Sequence, residues 1–170
     1  MINRIYWDLD HTLIYADFPE VVSEFDVGIA IDGDIYHIKI NPASYSLLSF
    51  SRNLVGANNV WLLTASIREY AEAVNRACDF KFPTDQILAR EDISTLLPLC
   101  KWDAEFKNPH KHKNNVLIDN LPSRYNEEKM IVGGVLLDNY LQVEDYYGIY
   151  DERFADKVRQ FLNEKHEEAN

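Results

Sequence analysis

Short apolar blocks alternate along the chain with segments whose apolar positions recur every three or four residues, the pattern that strands followed by amphipathic helices leave in a sequence. The first block, Arg4 to Leu9, predicts a strand. Val27 to Ile31 and Ile35 to Ile40 flank Asp32-Gly33, the turn sequence of a tight hairpin, so a small antiparallel excursion is expected after the first strand. Asn41-Pro42 offers a capping side chain and then a proline suited to the first helical turn. Tyr45 and Leu48 share one face of that helix, which is expected to end near Asn53 to Gly56. Val60 to Leu63 is wholly apolar, as a strand buried on both faces must be, and stops at Thr64. Ser66 and Glu69 have the spacing of a capping box, and Ile67, Tyr70, Ala71 and Val74 follow at helical positions, so a helix is expected directly after that strand. Gln86 to Ala89, Val116 to Ile118 and Val135 to Leu137 read as further strands. Lys101 to Lys107 reads as a short helix halted at Asn108-Pro109. Phe154, Val158, Phe161 and Leu162 give a last helix one apolar face, with a polar, frayed tail from about Lys165.

Strands alternating with helices predict a three-layer, Rossmann-like α/β fold with a mostly parallel central sheet and a hairpin insertion at about residues 27–40. A length of 170 residues, without repeats or linkers, predicts a single domain over 1–170. The net charge of −11 argues against long nucleic acids and acidic membranes as partners, so a phosphorylated substrate must be met by a local cationic patch. The longest apolar stretches, such as Ile131 to Leu137, fall well short of the ~20 residues of a membrane span, and no basic leader precedes an apolar block. A soluble intracellular protein is expected, cytoplasmic or nuclear, with Cys78 and Cys100 as buried thiols. Nothing in the pattern sets an oligomeric state.

Three apolar strands end in polar groups: Asp8 and Asp10 after the first, Thr64 after the second, and Asp119 and Asn120 after a later one. In open α/β sheets the ligand crevice lies outside the carboxyl ends of the strands, so these groups are expected to meet. Carboxylates spaced one residue apart repel each other unless something rewards the pair, and a hard divalent cation such as Mg²⁺ does so. The plainer alternative is a polar strand end with two solvated acids. Phosphoryl transfer needs an oxygen nucleophile, a proton donor, a cation for the phosphate charge and an orienting hydroxyl, and each type is present. The cationic side chain is sought among Lys101, Lys107, Lys111 and Lys113. Lys101 precedes Asp119 by 18 residues, room for the chain to return through the sheet, and fits better than Lys107. Arg90, after a strand end, is the better of two arginines for a cationic patch, Arg68 being the other, with a surface ion pair as the alternative. His110 and His112 lack further cysteines or histidines for a zinc site and read as a solvated loop. Trp7, Trp61 and Trp102 read as core or cleft-wall residues, and Glu144 to Tyr147 as a solvated acidic turn.

Asp8-Leu9-Asp10-His11-Thr12-Leu13, Leu63-Thr64-Ala65-Ser66, a lysine, and Ile118-Asp119-Asn120-Leu121-Pro122 resemble, in order, the four motifs of haloacid dehalogenase-type phosphatases. The likeness is greatest to the FCP/SCP group, the small C-terminal-domain phosphatases. It extends to Ile31-Asp32-Gly33, Glu69-Tyr70-Ala71, Ala89-Arg90-Glu91, Ser123-Arg124-Tyr125 and Leu137-Asp138-Asn139. The resemblance implies a phosphomonoesterase in which Asp8 is the nucleophile that becomes an aspartyl phosphate and Asp10 the acid and base. Thr64, Ala65, Arg90 and Lys101 would hold the phosphoryl group and its surroundings. Mg²⁺ would be bound by Asp8, the backbone carbonyl of Asp10 and Asn120, with Asp119 as ligand or as partner to Lys101. The implied substrate is a phosphoserine or phosphothreonine in a protein or peptide. Alternatives are a nucleotide or other small phosphorylated metabolite, or a non-catalytic binding module of the same fold. His11 stands where this group usually has glutamate.

Overall fold

The structure, a computed structural model, describes residues 1–102 and 114–168. β1 (Arg4–Trp7) is apolar on both sides because it is the middle strand of a five-stranded sheet. β5 (Val60–Leu63) and β6 (Ile87–Leu88) lie on one flank of it, and β7 (Asn115–Asp119) and β8 (Val135–Gln142) on the other, giving the order β6-β5-β1-β7-β8. Every pairing is parallel. Successive side chains along β1 therefore serve opposite faces. Ile5 and Trp7 join the larger core with α1 (Ser44–Val55), α2 (Arg68–Cys78) and α5 (Glu152–Glu168). Tyr6 joins a smaller core with Ile93 of α3 (Arg90–Trp102) and Met130 of α4 (Glu127–Gly133). Two helical layers thus sandwich the sheet, as the alternating pattern predicts. Trp7 is fully buried, its indole N–H donating to Ser51 Oγ at 3.2 Å, and Trp61 packs against the smaller core.

The expected hairpin is present as β3 (Val27–Ile31) and β4 (Asp34–Ile40), with Asp32 and Gly33 at φ of 51° and 85°. Two consecutive left-handed residues are what a type I′ turn requires. The excursion is larger than the pattern predicted. β2 (Ile14–Asp17) pairs antiparallel with β4 to complete a sheet of order β2-β4-β3. A four-residue strand with a single fully buried position, Ile14, leaves almost no periodicity to read.

Some helix boundaries also differ. α1 begins at Ser44, because Asn41 Oδ1 accepts the Ala43 N–H in a local turn and its Nδ2 donates to Thr12 O. α2 begins at Arg68 without a capping box: the Ser66 hydroxyl is committed elsewhere, and the Arg68 N–H donates instead to the Glu91 carboxylate. α3 starts at Arg90, well before the helix expected from Lys101, and runs through Pro98. Residues 103–113, with Lys107, Lys111, Lys113, His110 and His112, lie outside the described residues. Cys78 is buried, but Cys100 is only half-buried. α5 continues to Glu168, so the polar tail expected from Lys165 is helical for most of its length.

α4, which the pattern did not predict, rests close to the sheet through Gly133. A Cβ there would meet Tyr6, Leu63 and Val135 at 3.2–3.3 Å. Gly133→Val is expected to cost about 1–3 kcal/mol by overpacking, read from chemical denaturation, and an unchanged midpoint would show that this face has slack. β7 and β8 part company beside it. From Asn115↔Val135 to Leu117↔Tyr140, β7 advances two residues while β8 advances five, so the stretch Leu136–Asn139 carries three residues more than the register needs. Among the described residues no helix is long and apolar enough to cross a membrane.

Candidate active site

The sheet's register carries the strand ends to one place. The Asp8 N–H donates to Ile118 O at 3.0 Å, extending the β1–β7 ladder by one rung and bringing Asp8 beside Asp119. Both carboxylates are buried, and the group between them is a lysine on α4. Lys129 Nζ donates to Asp8 Oδ1 and to Asp119 Oδ2, each at 2.8 Å, and its side chain is only 6% exposed. The chain after Asp8 then turns sharply through His11 at φ 60°, where the Thr12 hydroxyl donates back to Asp8 Oδ2 at 2.9 Å.

Asp10, two residues on, sits at the border of the cleft with both oxygens held by hydroxyls. Ser66 Oγ donates to Oδ2 at 2.7 Å and Tyr70 OH to Oδ1 at 2.6 Å. Burial first, and then the Asp10 charge, push the Tyr70 phenol above its ordinary range, so it remains a donor at any working pH. Thr64 is buried and its Oγ1 accepts the Ser66 N–H. Arg90 is exposed, with Nε donating to Ala65 O at 2.8 Å. Asp8, Asp10, Thr64, Ala65, Arg90, Asn120 and Lys129 all border one cavity of about 230 Å³. A second cavity of about 370 Å³ adjoins it, sharing Asp10, Ser66 and Arg90 and walled by Ile31, Tyr36 and Tyr70.

Of the residues expected at this site, Lys101 is the one the structure does not bring there. It is exposed in the last turn of α3, and the lysine that meets the carboxylates comes from after Asp119 rather than before it. No signal in the sequence marked Lys129: it follows Glu127 and Glu128, so by pattern it reads as one more solvated charge at the start of an apolar run. Arg68 is also spent elsewhere, on Glu72, Asp92 and the Ile87 carbonyl. Nor is the turn at Glu144 to Tyr147 merely solvated, since Tyr146 is buried and Asp145 Oδ1 accepts from Asn120 Nδ2 at 2.6 Å.

Burial raises the Asp8 carboxyl to about 7, a rise that Lys129 opposes and Asp119 reinforces. For Lys129 burial works against the charge, but Asp8 and Asp119 outweigh it and lift the ammonium above its ordinary value. The pocket floor is thus a fixed cation flanked by two carboxylates. Asp8 Oδ2 and Asn120 Oδ1 lie 2.9 and 3.4 Å from the same Thr12 hydroxyl, so oxygen ligands from two strand ends converge. Hard oxygens of this kind suit Mg²⁺. Among the described residues no group of three His, Cys, Asp or Glu side chains is disposed to hold a metal, so a cation here would draw on the Asn120 amide, backbone oxygen and water as well.

A parallel α/β sheet with paired acids, a hydroxyl and a buried lysine at its carboxyl edge presents the groups that phosphate chemistry calls for. The chain matches the NLI interacting factor-like phosphatases over residues 5–170, and it belongs to that family. No curated protein matches it in sequence. Two solved structures are similar in fold at a TM-score of 0.56 and 19% identity, covering 98% of this chain. One is Fcp1, described as an essential RNA polymerase II CTD phosphatase; the other is fission yeast Fcp1-R271A bound to beryllium fluoride. The chain spans about half the length of each, 50% and 51%.

Proposed function

We propose that this protein is a Mg²⁺-dependent phosphomonoesterase acting on phosphoserine or phosphothreonine in a protein segment. The observation that carries the reading is Asp8, buried at the foot of the cavity, with Lys129 2.8 Å from one of its oxygens. In the first half-reaction an Asp8 oxygen bonds to phosphorus as the ester P–O bond breaks, and Asp10 delivers a proton to the departing oxygen. In the second, Asp10 takes a proton from water as the water oxygen attacks phosphorus, releasing inorganic phosphate and restoring the Asp8 carboxylate. Ser66 and Tyr70 hold Asp10 for both steps, and the Ser66 hydroxyl can reverse to accept when Asp10 carries the proton. Thr64, the backbone around Ala65, and Lys129 face the phosphoryl oxygens, with Arg90 at the mouth. Mg²⁺ held by Asp8, the Asp10 carbonyl and Asn120 would supply the positive charge that lets two anions meet.

The second cavity supports a polypeptide substrate. It shares Asp10, Ser66 and Arg90 with the first and is walled by aromatic and apolar side chains, space for a residue beside the phosphorylated one. Similarity to proteins described as CTD phosphatases points the same way. The test is phosphate release from an aryl phosphate and a phosphoserine peptide, with Mg²⁺ or with EDTA. Turnover that EDTA lowers by about 100-fold or more is expected; equal rates with and without metal would end this mechanism. A nucleotide that competes better than the peptide would redirect the substrate class to small phosphates.

A further inference from the structure

We infer that Asp145 is the positioning residue that sets Asn120 for the metal, an inference that rests on the Mg²⁺ site proposed above. An asparagine amide can present either its oxygen or its nitrogen to a cation, and only the oxygen is a ligand. In this chain the choice is made by Asp145. Its Oδ1 accepts from Asn120 Nδ2 at 2.6 Å, and a carboxylate can only accept, so Asn120 Oδ1 is left facing Thr12 and Asp8. The contact links residues 25 apart in the chain, one following β7 and one following β8.

The segment that carries Asp145 is fastened on both sides of it. Val143 N–H donates to Asp119 O at 2.9 Å, and Tyr146 N–H donates to His11 O at 2.8 Å. The Tyr146 hydroxyl donates to Ile40 O at 3.1 Å, and the ring is buried. Asp145 is therefore held between the loop that bears Asp10 and the loop that bears Asn120. The site also gains from its charge. Lys129 already neutralises part of the Asp8 and Asp119 pair, so a further carboxylate beside Asn120 adds attraction for a dication. Partners of this kind, one step behind the ligands, are worth 10–100-fold in metal affinity.

The experiment is calorimetric titration of the full chain with MgCl₂, alongside water-proton relaxation with Mn²⁺, comparing wild type, Asp145→Asn and Asp145→Ala. Asp145→Asn removes the charge but keeps an acceptor oxygen; Asp145→Ala removes both. The metal dissociation constant is expected to rise about 10-fold in the first and up to about 100-fold in the second. Thermal midpoints in EDTA should stay within a degree of wild type, since Asp145 is exposed. Turnover on an aryl phosphate should recover to within about threefold of wild type at saturating Mg²⁺, leaving the loss in metal affinity rather than in kcat. Wild-type affinity in both variants would overturn the assignment, as would midpoints that fall in EDTA in proportion to affinity. If wild type itself binds neither cation, it is the metal site that fails, and the two failures are told apart.

Discussion

Asp8→Asn is expected to lower turnover by a factor on the order of 10⁴ or more, because an amide oxygen cannot form the phosphoenzyme. The same substitution should make the metal-free protein more stable. The Asp8 carboxyl is raised from 3.8 to about 7, so the native state holds a proton that the unfolded chain has given up. Stability from this group is present below about pH 4 and is lost as pH rises towards 7; asparagine, which does not titrate, loses none. The stability gap in favour of asparagine is therefore expected to open as pH rises from 5 to 8. Thermal unfolding in EDTA at pH 5 and pH 8 checks it, alongside phosphate release. A variant that loses activity without gaining stability at pH 8 would contradict the burial of Asp8. Full activity would remove it as nucleophile.

Lys129→Met should act in the opposite direction on stability. Asp8 and Asp119 would then share a buried site without the ammonium that bridges them. Removing one partner from a buried ion pair costs about 3–5 kcal/mol, here on the order of 10 °C. Part of the loss should return as pH falls and Asp8 takes up a proton. Turnover should fall about 10²–10³-fold, the usual loss when a donor to developing charge is removed. Lys101→Met is the control: exposed at the end of α3, it should change neither the thermal midpoint nor the rate. Equal effects of the two substitutions, or no effect of Lys129→Met, would return the cationic role to the earlier part of the chain.

These two residues also show what a sequence can and cannot disclose. Asp8, Asp10, Thr64, Asp119 and Asn120 were legible because each closes an apolar strand, and parallel strands deliver their ends to one edge. Arg90 followed from the same logic, one strand along, whereas Ala65 came in only with the family resemblance. Lys129 was hidden because its route is tertiary: a seven-residue helix, too short for a full amphipathic pattern, reaches the site only because Gly133 lets it lie close to the sheet. Asp145 was hidden for a related reason, as an acid in an acidic turn gives no hint that its partner sits 25 residues away. The fold's parallel sheet, hairpin and layers were readable from periodicity. β2 and the start of α3 were not, since one depends on pairing with β4 and the other runs through Pro98.

The irregular stretch in β8 carries a further consequence. An outermost strand offers unpaired amides on which a foreign chain can zip, and such grafting is how many sheets begin to aggregate. Leu136–Asn139 break that template midway, leaving no straight run long enough for a stranger to join. Restoring the register by excising the three surplus residues should leave the interior untouched yet make concentrated solutions turn cloudy.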